Sequence, residues 1–127
     1  MIRAAEASRE VEVCGLVSAK HGQACQLYPV RNIADNPGRR FEMDPGEQIA
    51  AMKAMRDKHE SLFAIYHSHP RGPAQPSALD IAQAAYPDVL YLIIALSADR
   101  ETELCGFYLH SHSPQQVELE IQPAGYC

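Results

Sequence analysis

His67 and His69 stand one residue apart in "YHSHPRGPAQPSALD", ahead of a proline-rich loop that ends on Ser77 and Asp80. Side chains alternate across a strand, so two imidazoles at this spacing share a face and can converge on one ion where the strand opens into a cleft. Zinc accepts imidazole and carboxylate ligands, and a catalytic zinc takes three protein ligands and keeps its fourth position for water. The third ligand must then come from a neighbouring element. Asp80 is the candidate: the loop turns the chain back, and a helix starting at Ser77 carries Asp80 in its first turn, where an ionised carboxylate is favoured. Such a set activates water for hydrolysis. The same "SALD" is also a Ser-x-x-acid capping box, which needs no metal. Residue types and spacing alone leave both readings open.

A second His-Ser-His, His110-Ser111-His112, lies between two strand-like runs. The interval that separates His69 from Asp80, counted from His112, lands on Pro123. Glu118 and Glu120 alternate with apolar positions and are expected to face solvent. A surface hairpin loop is the expectation for this copy.

The elements that must hold the first pair follow from periodicity and punctuation. Residues 1–10 read as a short helix. Residues 12–19 and 23–32 read as neighbouring strands turning at His21-Gly22. "NIADNPGRR" is loop, and residues 40–43 read as a short strand. A helix follows with Asp44 as its cap, Pro45 at its first position and Glu47 three residues after the cap. Ile49, Met52 and Met55 recur at helical spacing along it, through about His59. The histidine-bearing strand starts at Leu62, and the second helix runs from Ser77 to before Tyr86. Residues 89–97, 103–111 and 116–122 read as three more strands, the last alternating Val117, Leu119 and Ile121. This order predicts a single α/β or α+β domain over residues 1–127, a mixed sheet flanked by helices.

Composition narrows the class. Hydrophobic residues make up 46% and charged residues 21% of 127 positions, the balance of a globular domain rather than a disordered chain. A net charge of -5 offers no basic face to nucleic acid or an anionic membrane. Cys14, Cys25, Cys105 and Cys127 form no Cys-x-x-Cys pair, so they read as thiols in a reducing compartment rather than as a zinc knuckle. No signal-like or membrane-length apolar run is present, and a cytoplasmic location is the expectation.

His67-Ser68-His69-Pro70, ten residues between His69 and Asp80, and Ser77 three before Asp80 resemble the JAMM motif, H-[ST]-H-P-x(6)-S-x(2)-D, of the JAB1/MPN/Mov34 metalloprotease family. "EVCGLV" from Glu12 is similar to the family's E-x-C-G-L segment, and "RNIADNP" and "RFEMDPGEQIAAM" resemble the connecting segments of compact prokaryotic members. The similarity covers the chain from Glu12 to about Phe107. It implies a cytidine-deaminase-like sandwich and one zinc per chain held by His67, His69 and Asp80. It also implies cleavage of a peptide or isopeptide bond at the C-terminus of a ubiquitin-like or sulfur-carrier protein ending in Gly-Gly. By the same resemblance Glu12 is the acid/base for the attacking water, and Ser77 hydrogen-bonds the carbonyl oxygen as it gains charge. Spacing alone does not separate Glu12 from Glu10; only the E-x-C-G likeness selects Glu12.

The chain departs from the family pattern ahead of that glutamate. Eleven residues precede Glu12, and Glu10 stands where a proline is common. Completion of a sheet edge by a second subunit, a homodimer, is one expectation from this. The chain has no room for the insertions by which polyubiquitin-selective relatives grip a second ubiquitin. A non-catalytic binding module and a metal-dependent amidase acting on a small metabolite are the alternatives. The complete Glu, His, His, Ser and Asp set argues against the first, and the second differs only in substrate.

Overall fold

The computed structural model describes residues 1–86, 88–96, 101–110 and 113–119. In chain order these form α1 (Ile2–Ala7), β1 (Cys14–Lys20), β2 (Gln23–Val30), α2 (Pro45–Asp57), β3 (Ser61–His69), α3 (Ala78–Gln83), β4 (Leu90–Leu96), β5 (Thr102–His110) and β6 (Ser113–Val117). The strands make one six-stranded sheet in the order β2-β1-β3-β4-β5-β6. Only β3 and β4 run parallel; every other neighbouring pair is antiparallel. This is the mixed sheet with flanking helices that the pattern predicts.

Burial follows from each strand's place. All of β4 is buried, as an unbroken apolar run in mid-sheet must be when both faces are covered. Its two faces enter different cores. Leu16, Ile65, Tyr91, Ile93 and Phe107 pack with Ala51 and Met55 of α2. Val17, Ala64, Tyr66, Leu92 and Ile94 pack on the opposite side, with Ala5 of α1. Pro29 and Pro114 fall on β2 and β6, the two edges, where a missing N–H costs the ladder least. Gly15 is required by close packing: a Cβ there lies 2.5 Å from Tyr66 Oη and 2.6 Å from the Tyr28 carbonyl.

Several expectations need correction. Residues 40–43 form no strand, and their one pairing is an isolated bridge between Asn32 and Met43. Asp44 caps α2 by accepting from the Gly46 and Glu47 N–H groups, but Glu47 does not close the box. Its carboxylate accepts the Arg31 N–H at 2.9 Å, because the Asp44 N–H already donates to the Arg31 carbonyl. Ile49 is 68% exposed. It lies two residues, about 200° of helix, from the buried Ala51, and so on the solvent side.

Residues 113–115, expected as loop, are strand, because pairing restarts at His110 with Ser113. Ser113 to Gln116 are exposed polar residues on an edge, so no apolar alternation marks them. Cys14 and Cys105 are thiols as expected, but Cys25 is disulfide-bonded. No helix among the described residues is long and apolar enough to cross a membrane.

Candidate metal centre

The parallel β3–β4 pair sets the site. Parallel neighbours need a crossover, and here it contains the proline-rich loop and α3. The chain therefore leaves β3 at His69 and doubles back beside the strand's end. Antiparallel β1 brings its start to the same end, with Cys14 opposite His67. Beyond β1 the contact continues: Ser68 N–H donates to the Val13 carbonyl at 2.9 Å, and Val13 N–H donates to Ser68 Oγ at 2.8 Å. Glu12 thus arrives beside His69, two residues ahead of the strand rather than within it. Glu12 is 5% exposed, whereas Glu10 is exposed at the surface.

His67 and His69 point to one face, and their Nε2 atoms lie 3.1 Å apart. Asp80 Oδ2 lies 3.2 Å from the first and 3.0 Å from the second. His69 Nδ1–H donates to the Pro73 carbonyl at 3.0 Å, which leaves a lone pair on Nε2 in the neutral ring. His67 is 1% exposed, and its ring stacks on Phe41 with centroids 4.4 Å apart. Burial pushes its pKa below the ordinary histidine value, although Asp80 pulls the other way. His69 faces the same carboxylate and shifts the other way: burial would lower its pKa, but contacts with Asp80 and the Pro73 carbonyl outweigh it and raise it.

Burial would raise the Asp80 carboxyl, but contacts with His67, His69 and the Ser77 N–H outweigh it and hold it well below the carboxylate range. Three atoms of metal-ligating type, two imidazole Nε2 and one carboxylate Oδ2, converge at 3.0–3.2 Å. Ligands about 2.0–2.1 Å from a tetrahedral zinc stand roughly 3.3 Å from one another, so this donor set fits such an ion.

Glu12, His67 and His69 also offer ligand atoms that all lie within 4.8 Å of one another. Glu12 Oε1 is buried without a hydrogen-bond partner among the described residues. Burial pushes the Glu12 carboxyl up to about 7, against the pull of His69. A buried His/His/carboxylate group able to hold a metal ion is thus in place. Cys14 supplies no thiol nucleophile, although it sits opposite His67. It is 2% exposed, its thiol donates to the Val30 carbonyl, and burial pushes its pKa up to about 12.

The expected residues come together: Glu12, His67, His69 and Asp80 at the centre, with Ser77 at its exposed rim. In the second His-Ser-His, His110 ends β5, and Ser111 and His112 lie outside the described residues. Three neighbours were not anticipated. Ser68 is fully buried, and its hydroxyl extends the ladder to Val13; only the residue type allowed between the histidines hinted at it. Phe41 and Asn32 lie in a segment with no periodic signal. Phe41, whose ring stacks on His67, also walls a cavity of about 380 Å³ lined by Arg40, Met43, Ile65, Tyr86 and Tyr91.

A mixed α/β domain that gathers two histidines and two carboxylates at the end of a parallel strand pair is the architecture of a JAB-type metal centre. The chain belongs to the family of prokaryotic homologs of the JAB domain, whose model matches residues 1–105. The solution structure of protein DSY2949 from Desulfitobacterium hafniense superposes with a TM-score of 0.85 at 31% identity, covering 96% of this chain and 86% of that one. The desampylase of Haloferax volcanii is 33% identical over 84 residues, 65% of this chain and 60% of that protein. The CysO-cysteine peptidase of Mycobacterium tuberculosis is 31% identical over 109 residues, 84% of this chain and 74% of the peptidase. The matched region thus spans less than two thirds of the desampylase's length.

Proposed function

We propose that the chain is a zinc peptidase that hydrolyses the amide bond following the Gly-Gly terminus of a ubiquitin-like or sulfur-carrier protein. The observation that carries this reading is the convergence of the His67, His69 and Asp80 donor atoms beside Glu12, whose buried Oε1 has no hydrogen-bond partner among the described residues. The named activities of the similar desampylase and CysO-cysteine peptidase support the choice of substrate class. His67, His69 and Asp80 would hold one zinc per chain, which would supply Lewis-acid chemistry toward the amide carbonyl and water.

The remaining steps fall to the chain's own residues. Glu12, with a carboxyl near neutrality, takes the proton of the attacking water and passes it to the leaving nitrogen. Ser77 accepts the Asp80 N–H at 3.0 Å through its oxygen, so its O–H proton remains available to the substrate carbonyl as charge develops. The cavity walled by Phe41 takes substrate on one side of the cleaved bond, and the Phe41 ring stacked on His67 shields that imidazole. A cytoplasmic location has observations on both sides: Cys14 and Cys105 are free, whereas Cys25 is disulfide-bonded, a state rare in that compartment.

The test is mass spectrometry of a ubiquitin-like protein extended past Gly-Gly, incubated with zinc-loaded enzyme with and without chelator. Release of a product ending at Gly-Gly, abolished by chelation, is the expected result. Intact substrate with zinc-loaded protein moves the assignment to a binding module or a small-amide hydrolase.

A further inference from the structure

We propose that Asn32 is a positioning residue that clamps the Glu12 segment to the wall of the substrate cavity; this rests on the reading of Glu12 as the acid/base. The Asn32 carboxamide is used on both sides. Its Nδ2 donates to the Glu12 carbonyl at 2.9 Å and to the Arg40 carbonyl at 3.0 Å. Its Oδ1 accepts the Ala34 and Glu42 N–H groups, each at 3.0 Å. The Glu12 N–H donates at 2.7 Å to the Pro37 carbonyl, on the same loop. The backbone of Glu12 is thus held on both sides by residues 32–40.

The need for such a clamp is physical. Glu12 precedes β1, so ladder hydrogen bonds within the strand do not fix it. Its carboxyl oxygen Oε1 has no hydrogen-bond partner of its own among the described residues. The position of that carboxyl is set by the backbone and by packing. Residues 40–43 form no strand, yet they carry Phe41, which stacks on His67. One carboxamide therefore holds the acid/base and the aromatic neighbour of a metal-ligand histidine in a common frame. A misplacement of about 1 Å at a reacting group costs on the order of 100-fold in rate.

Two variants separate this role from loop folding. Asn32→Ala removes these bonds and the longer one from Nδ2 to the Pro37 carbonyl, at 3.5 Å. Asn32→Asp keeps the acceptor for Ala34 and Glu42 but removes the donors to Glu12 and Arg40. With zinc content measured as equal to the parent, both are expected to lose about 10–100-fold in kcat while KM changes less than about threefold. Amide exchange followed by NMR should show faster exchange at Glu12 in both variants, and at Ala34 and Glu42 only in Asn32→Ala. Parental kcat in Asn32→Asp overturns the proposal and leaves Asn32 a loop residue. If the parent protein cleaves nothing, the functional reading fails separately. The clamp then stands or falls on whether Glu12 exchange rises in the two variants.

Discussion

Ser77 and Asp80 cap each other across the first turn of α3. Asp80 N–H donates to Ser77 Oγ at 3.0 Å, and Ser77 N–H donates to Asp80 Oδ2 at 2.9 Å. That same Oδ2 lies 3.0 Å from His69 Nε2 and 3.2 Å from His67 Nε2. The capping box and the proposed third ligand, which compete as readings of "SALD", use one and the same carboxylate. The start of the helix aims the carboxylate, and α3, with no buried residue, has little packing to aim it otherwise.

Ser77→Ala should therefore weaken metal binding as well as activity. Loss of the cap costs about 1 kcal/mol, and loss of a group that orients a ligand weakens metal affinity by roughly 10-fold or more. Competition against a chromogenic chelator reads the affinity. An unchanged affinity separates the cap from the ligand. Ser77→Thr retains the hydroxyl and should stay close to the parent.

Glu12→Gln should abolish cleavage, keep the zinc and stabilise the metal-free protein at alkaline pH. The folded protein holds the Glu12 proton more tightly than the unfolded chain, with a pKa of about 7 against 4.5. Ionising this buried carboxyl therefore costs stability as pH rises from the lower value through the higher. The cost is on the order of 3 kcal/mol above both. Metal-free Glu12→Gln is expected to melt roughly 5 °C or more above its parent at pH 8, with a smaller gap at pH 5. A lower melting temperature at pH 8 means that the carboxylate has a stabilising partner.

The acid limb of kcat/KM should report the same group. A general base acts only when ionised, so the rate rises with pH as Glu12 loses its proton. Its midpoint is about 7 in the metal-free protein. A bound cation favours the carboxylate, so the active enzyme should show a midpoint at or below that value. A limb centred well above 7 assigns the titration to a different residue.

Ser68→Val should be more damaging than Ser68→Thr. Valine leaves the half-buried Val13 N–H without its acceptor, a penalty of about 1 kcal/mol, and loosens the segment that carries Glu12. Threonine keeps the oxygen and adds one methyl. Thermal melts paired with kcat separate the two effects. Equal damage from both variants points to crowding rather than the hydrogen bond.

What was legible in the sequence was whatever local spacing encodes. The alternation that puts His67 and His69 on one face, the Ser77 cap that starts α3 and the Asp44-Pro45 start of α2 each span a few residues. Each is governed by the period of its own element. Resemblance, not spacing, separated Glu12 from Glu10. The structure gives the cause in the pairing of β1 with β3, which buries Glu12 beside the histidines and leaves Glu10 at the surface.

Of the stripe Ile49, Met52 and Met55, the two methionines pack on the core while Ile49 faces solvent, because helical spacing does not say where the buried stripe is centred, and Ala51 completes it. Residues 113–115 were missed because an exposed polar edge strand carries no apolar alternation. Asn32, Phe41 and Ser68 had no legible role, since their contacts with Glu12, His67 and Val13 span 20, 26 and 55 positions and exist only once the chain is folded. Sequence determined the types of the candidate donor residues and their spacing, because those are written in the chain itself. Tertiary structure decided which carboxylate joins the histidines and what holds it there, because strand register and long-range hydrogen bonds are properties of the folded chain.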